Sequence, residues 1–286
     1  MNAAVSKQQF QDWFTQQVVI IRGIQFKTAD FPWLIGPFGS KNGIGEEFIH
    51  QLAARENLTI QRNVKTHGLI QSMEQLGLSD AELALLPKPV IDFYKNTSDY
   101  QLSLSVKWNP FFKFFGILLN KLFSNRINQL NLPINQNRDS NSLKSEIITL
   151  LDSTTQVVKH TIWLRTNTIS NRVMYSGIYG TCTLPSGKIG IKAVFPLPHG
   201  NATVIMTPRV SETGELILTS SGQRIGDAGF YFLVQDSKGG YWTQFVASFR
   251  DTLVVRANGD EVTAIQTLTL WNYRVVQLNY QIKLKK

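Results

Sequence analysis

The sequence predicts an α+β protein, a mostly helical N-terminal part followed by a large antiparallel β-sheet that is strongly bent or closed as a barrel. Three observations lead there. Up to about residue 133 apolar residues recur with a period near 3.6, whereas from residue 144 onward they alternate with a period of 2. Between the two, "INQNRDSNSL" at 134–143 is amide-rich and poor in large apolar side chains, which marks a linker or long loop. Finally, the last 143 residues hold nine or ten short strand patterns with no room for crossover helices, so the strands must run as an antiparallel meander. A sheet of that many strands tends to curl or close. The expected organisation is a helical region at 1–133 packing on the sheet, the linker at 134–143, and the sheet at 144–286.

Taken in order, Ser6 to Gln17 carries Phe10, Trp13 and Phe14 at i, i+3 and i+4, an aromatic stripe expected to dock a helix on the core. Gly36, Gly39, Gly43 and Gly45 then precede a helix beginning near Gly45. Glycines at a helix start can cradle phosphate, but Glu46 and Glu47 already occupy the first turn, and the spacing fits neither phosphate-loop pattern. An ordered surface loop is the expectation. Ser79 and Glu82 form a capping box that starts a short helix, and Pro87 and Pro89 precede another in "VIDFYKNTSDY".

Asn109 and Pro110 form an N-cap and first turn for a helix running toward Leu130 through "FFKFFGILLNKLF". This apolar run has thirteen positions with two lysines among them, short of the roughly 20 residues that span a bilayer. The helix is therefore expected to be buried on most sides, or to lie in a membrane interface.

In the β part, "VVQLNYQIKL" places Val276, Leu278, Tyr280, Ile282 and Leu284 on one face and Gln277, Asn279, Gln281 and Lys283 on the other. Val262, Ala264, Leu268 and Leu270 alternate with threonines before it, and Asn258-Gly259 marks a tight hairpin. Further strands fit 156–165, 172–183, 188–195, 202–209, 215–219 and 229–235.

Composition narrows the function classes. A hydrophobic share of 43% and a charged share of 17% describe a folded protein. The single cysteine, Cys182, excludes an intramolecular disulfide, and the N-terminus lacks a basic segment followed by an apolar core, so a cytoplasmic protein is expected, with peripheral contact to the inner membrane face as the variant. The net charge of +9 is spread thinly: 14 basic against 11 acidic residues up to 143, then 15 against 9. An anionic membrane is a candidate partner, but nucleic acid is disfavoured because the strand aromatics share faces with aliphatic residues.

Catalytic signatures are lacking. His50, His67, His160 and His199 are dispersed, and no metal or cofactor is expected. His160 shares a strand face with Ile162 and Leu164 and reads as a satisfied inward histidine. No G-x-S-x-G elbow is present. Arg224 and Asp227, in "GQRIGDAGFYF", suit a tight loop at the sheet rim, either as a loop-fixing pair or as a polar site.

"DFYKNTSDY", "WNPFF", "LFSNRINQLNLP", "VFPLPHGNATV", "GDAGFYF" and "LWNYRVVQLNYQI" resemble segments of a family of uncharacterised bacterial proteins of about this length, in patches from 45 to 284. The resemblance implies a bacterial, non-secreted protein and carries over no catalytic residue.

The reading that results is a non-catalytic binding module for a lipid-like or other hydrophobic small molecule, closed at one end by the Phe-rich helix. Candidate ligand-binding residues are Phe111, Phe112, Phe115, Trp163, Arg224, Asp227 and Tyr231. The alternatives are a peripheral membrane protein, and an enzyme using Asp227, Arg224 or His160 in the sheet cavity.

Overall fold

The computed structural model describes residues 3–5, 10–40, 45–62, 64–112, 143–167 and 172–285. Its helices are α1 (Phe10–Arg22), α2 (Glu47–Glu56), α3 (Asp80–Leu85) and α4 (Lys88–Lys95). The N-terminal part also contributes strands β1 (Ile24–Phe26), β2 (Leu58–Arg62) and β3 (Tyr100–Trp108). After residue 142 follow β4 (Leu143–Asp152), β5 (Val158–Asn167), β6 (Arg172–Thr183), β7 (Ile189–Leu197), β8 (Gly200–Val210) and β9 (Leu216–Thr219). The chain ends with β10 (Phe230–Gln235), β11 (Tyr241–Phe245), β12 (Phe249–Asn258), β13 (Glu261–Leu270) and β14 (Tyr273–Leu284).

The ladders are antiparallel throughout, in the order β2-β4-β5-β6-β7-β8-β9-β12-β13-β14-β3. β8 forks the sheet: its first half pairs with β10 and its second half with β9, so β10, β11 and β1 branch off the main path. The strand expectations for residues 172–235 fall within a few residues of β6 to β10. The segment "TQFVASFRDTLVVR" at 243–256, read as the one strand on the other side of the Asn258-Gly259 hairpin, is split between two, β11 and β12. The hairpin after it turns at Gly259 and Asp260, where Gly259 takes a φ of 61°, a left-handed conformation that glycine enters freely.

The sheet is bent but not closed, which corrects the barrel option. β2 and β3, the two ends of the path, are not paired with each other. β3 comes alongside β4, but β2 already holds the Ile148–Asp152 half of that strand's edge. β3 itself is a departure from the helical reading of the first 133 residues. Leu102, Leu104 and Val106 alternate with exposed Gln101, Ser105 and Lys107, and the strand pairs along its whole length with β14.

The concave face gathers Leu102, Leu104 and Val106 of β3, Trp163 of β5, Val204 and Met206 of β8, Val255 of β12, Ala264 of β13 and Leu278 of β14 into one core. Leu284, expected to share that face, is exposed at the end of β14. α4 closes one end of the trough with Val90, Phe93 and Tyr94. It starts on proline, as a first helical turn permits, and Thr97 Oγ1 donates to the Phe93 carbonyl at its end, 2.8 Å. α3 carries the expected capping box: Glu82 N donates to Ser79 Oγ, 3.3 Å, and Ser79 N to Glu82 Oε2, 3.0 Å.

The convex face has two covers. α2 lays Phe48, Ile49 and Leu52 on Ile148, Ile162 and Leu164. The segment 31–38 packs Trp33 and Leu34 against Leu184, Ile205 and Tyr231. Lys192 Nζ donates to the carbonyls of Trp33 and Ile35, 3.1 and 3.0 Å, and fastens that segment down. α1 rests on β10 and β11 through Val19 and Ile20; of the aromatic stripe Trp13 packs against the same cluster, whereas Phe10 and Phe14 are 73% and 55% exposed. Its phase is set by Asp12, Gln16, Val19 and Ile20, the residues that are buried.

Candidate functional site: a cavity on the concave face

Between α4 and the opposite end of the trough lies a cavity of about 880 Å³. The residues along one strand point alternately into and out of a bent sheet, so the inward phase of β5, β7, β12, β13 and β14 supplies most of the wall. Ile191, Phe195, Leu253, Val255 and Leu268 form its apolar surface, with Phe93 and Tyr94 at the α4 end. Phe111, Phe112, Trp271 and Tyr273 line the other end. Phe111, Trp271 and Tyr273 are also about two-thirds or more exposed, so the cavity opens to solvent there.

The rim has an unusual turn. Trp271 and Asn272 join β13 to β14 with φ values of 49° and 65°, the left-handed pair of a two-residue hairpin. Asparagine tolerates that region, but for tryptophan it costs on the order of 1–2 kcal/mol. The turn is anchored by Trp271 N, which donates to the Ser248 carbonyl, 2.9 Å.

A linked set of polar side chains, Arg165, Tyr280, Gln266 and Asp251, interrupts the apolar wall. Arg165 is 8% exposed, and its guanidinium carbon lies 3.6 Å from the Trp163 ring centroid, with the Tyr175 and Tyr280 rings at 5.5 and 5.4 Å. These rings hold the cation through their negative faces. Arg165 Nη1 reaches Tyr280 Oη at 3.5 Å, Tyr280 Oη donates to Gln266 Oε1 at 3.2 Å, and Gln266 Nε2 donates to Asp251 Oδ2 at 2.6 Å. Asp251 is fixed at its backbone by Ser220, whose Oγ accepts from Asp251 N at 2.7 Å.

The relay leaves charge unmatched. Among the described residues no carboxylate lies within ion-pair distance of Arg165, and neither Arg165 Nε nor Asp251 Oδ1 has a hydrogen-bond partner although both are buried. Burial pushes the Asp251 carboxyl up to about 7, with the Gln266 hydrogen bond pulling the other way. It also raises Tyr175 well above the usual phenol range and Tyr179 to about 12, so both stay protonated at neutral pH.

Of the residues singled out from sequence, Phe111, Phe112 and Trp163 line this cavity, and Phe115 lies outside the described residues. Residues 110–112 form a first helical turn, with Phe111 N donating to Asn109 Oδ1 at 3.0 Å; the rest of the helix expected there, and the expected linker up to residue 142, lie outside the described residues. Tyr231, Arg224 and Asp227 are elsewhere. Tyr231 is fully buried in the convex-side core, where its hydroxyl donates to the Asp227 carbonyl at 2.5 Å. The Asp227 carboxylate accepts from Gln223 N and Arg224 N, 3.0 and 3.2 Å, and so shapes the 222–228 loop. His160 is on the convex side with Ile162 and Leu164, its Nε2 2.7 Å from Glu56 Oε2 of α2. Of the three groups weighed for catalysis, Arg224 and Asp227 share this loop, while His160 lies apart from them beside α2.

Sequence reading missed Arg165, Asp251, Gln266 and Tyr280. A signal was present: Gln266 falls in phase with Ala264 and Leu268, Asp251 with Leu253 and Val255, and Arg165 with Trp163. A polar residue at an inward position is the informative exception. Among the described residues no group of three or more His, Cys, Asp or Glu side chains is placed to hold a metal ion.

Fold and site together define an open antiparallel sheet curled around an apolar cavity with a buried cation in its wall. The chain is 26% identical over 244 residues to the uncharacterized membrane protein YndJ of Bacillus subtilis strain 168, an alignment that covers 85% of this chain and 42% of that protein. The chain therefore spans about two-fifths of the length of that relative. No family model matches the chain. No solved structure matches it. The similarity agrees with the resemblance to uncharacterised bacterial proteins read from the sequence. Among the described residues no helix is long and apolar enough to cross a membrane.

Proposed function

We propose that the protein is a binding module that holds a lipid-like or other hydrophobic small molecule in the concave cavity. The observation that carries this is the cavity itself: about 880 Å³, walled by aliphatic and aromatic side chains, open at one end and furnished with a few convergent polar groups. Ligand sites typically occupy about 300–1,000 Å³ with that kind of lining. Burying an apolar ligand there removes its surface from water without requiring the sheet to rearrange. Native mass spectrometry of protein purified from cytosol without detergent tests the reading. The expected result is a discrete adduct that is lost on denaturation. A bare mass, together with failure of the protein to take up the neutral probe N-phenyl-1-naphthylamine, would point to a cavity filled by the chain's own residues and would overturn it.

A second reading is favoured by the rim. Phe111, Trp271 and Tyr273 are exposed around the opening, and Lys107 and Arg274 are exposed on the neighbouring strands. Aromatic side chains flanked by cations suit the headgroup level of an anionic bilayer. The relative named a membrane protein is consistent with it. Under this reading the rim rests on a membrane and the cavity opens toward it. Trp271→Asp is then expected to move the protein from mostly bound to mostly free in co-sedimentation with phosphatidylglycerol vesicles, with near-ultraviolet circular dichroism unchanged. Equal co-sedimentation of variant and wild type would remove the rim from any membrane role.

A further inference from the structure

We infer that the cavity takes an amphiphile with an anionic head, a carboxylate or phosphate monoester, and that Arg165 is the residue that receives it. The inference rests on reading the cavity as a ligand site and adds the chemistry of what enters.

A guanidinium stays charged in any protein environment, so it cannot escape burial by losing a proton. Removing such a charge from water is costly unless a counter-charge compensates it. Arg165 is more than nine-tenths buried, lines the cavity, and has no carboxylate within ion-pair distance among the described residues. Its protein contacts are the faces of Trp163, Tyr175 and Tyr280 and one long hydrogen bond to the Tyr280 hydroxyl. Stacking on Trp163 at 3.6 Å fixes the plane of the fork without using its N–H groups. Nε remains without a partner. A planar donor fork that is held by stacking and spends only Nη1, in one long hydrogen bond, matches the two oxygens of a carboxylate, or two of a phosphate, in a bidentate pair.

The position along the trough fits as well. The cation is inside an apolar wall rather than at the wet rim, so an ion alone would gain little over water. An apolar tail supplies the remaining contact along Leu253, Leu268 and Phe195. Gln266, joined to Arg165 through Tyr280, gives the head a second polar neighbour and makes the site directional.

The test titrates delipidated protein at pH 7.5 with four probes: N-phenyl-1-naphthylamine, hexadecan-1-ol, hexadecanoate and hexadecyl phosphate. Wild type is expected to bind at least one of the two anions about tenfold or more tightly than the alcohol, the spacing expected for a charge-assisted hydrogen-bonded pair. Which anion is preferred distinguishes a fatty-acid carboxylate from a phosphate monoester. Arg165→Met is expected to erase that preference while still binding the neutral probe, which also reports that the cavity has folded. Arg165→Lys, which keeps the charge without the fork, is expected to restore part of it. Equal binding of alcohol and anions by wild type, or a preference unchanged in Arg165→Met, would overturn the role of Arg165 and leave the cavity reading standing. Failure of all four probes to bind would overturn the cavity reading itself. If Arg165→Met does not fold, the wild-type comparison of alcohol with anions decides alone.

Discussion

Asp251→Asn is expected to stabilise the protein at pH 8 by up to roughly 4 kcal/mol and to leave it nearly unchanged near pH 3.5. The sign follows from the direction of the shift. Burial raises the folded-state pKa from 3.8 to about 7, so between those values the folded chain holds a proton that the unfolded chain has released. Stability from this group is fully present below about pH 4 and is lost as pH rises through 7. At about 1.36 kcal/mol per pH unit the difference sums to roughly 4 kcal/mol. The groups facing Asp251 are Gln266, which donates to it, the Ser220 hydroxyl at its backbone, and, farther along the relay, Tyr280 and Arg165. An asparagine oxygen can still accept from Gln266, so the hydrogen bond is preserved and the charge alone is removed. Urea unfolding of both proteins from pH 4 to 8 checks this: the gap between them should open across that range. Parallel curves would mean Asp251 is ionised in the folded state at little cost.

Phe93→Ala should cost about 3–5 kcal/mol, the usual loss for a buried phenylalanine truncated to alanine. Phe93 is 3% exposed, meets Tyr94 and Tyr100 edge-on with ring centroids 5.3 and 5.4 Å apart, and forms the α4 end of the cavity. Its loss leaves the short helix with Val90 and Tyr94 as its remaining buried side chains. A lower denaturation midpoint with an unchanged slope is the expected signature. A loss below about 1 kcal/mol would show that the helix end is not part of the cooperative core.

The sheet was legible because its signal is local. Val276, Leu278, Tyr280 and Ile282 alternate strictly with polar residues, and all four are buried on the concave side. β3 has the same alternation at Leu102, Leu104 and Val106, but it follows a proline-started helix and precedes the Phe-rich run, and a helical frame absorbed it. The aromatic stripe misled at Phe10 and Phe14, though not at Trp13, for a related reason. Periodicity identifies a helix but not which side the rest of the protein covers, and in α1 the buried side includes Asp12 and Gln16. Closure was beyond local pattern altogether, since it depends on β2 occupying half of one edge of β4.

The site was legible only in outline. Phe111, Phe112 and Trp163, singled out in the sequence by bulk and apolarity, line the cavity. Arg165 and Tyr280 are 115 residues apart and meet only because the sheet curls, and the register that brings Gln266 opposite Leu278, with Tyr280 on the same face, cannot be read from composition. Arg224 and Asp227 attracted notice as charges between glycines, a pattern that here shapes a loop.

The most direct test of the central claim is a crystal structure of the protein as purified from cells, without detergent or added lipid. The expected result is non-protein density running from Phe93 toward the Trp271 rim, with a polar end within about 3 Å of the Arg165 guanidinium, the distance of a charge-assisted hydrogen bond. A cavity filled instead by side chains of residues 113–142 would contradict it, and would make the Phe-rich segment a plug rather than a neighbour of the ligand.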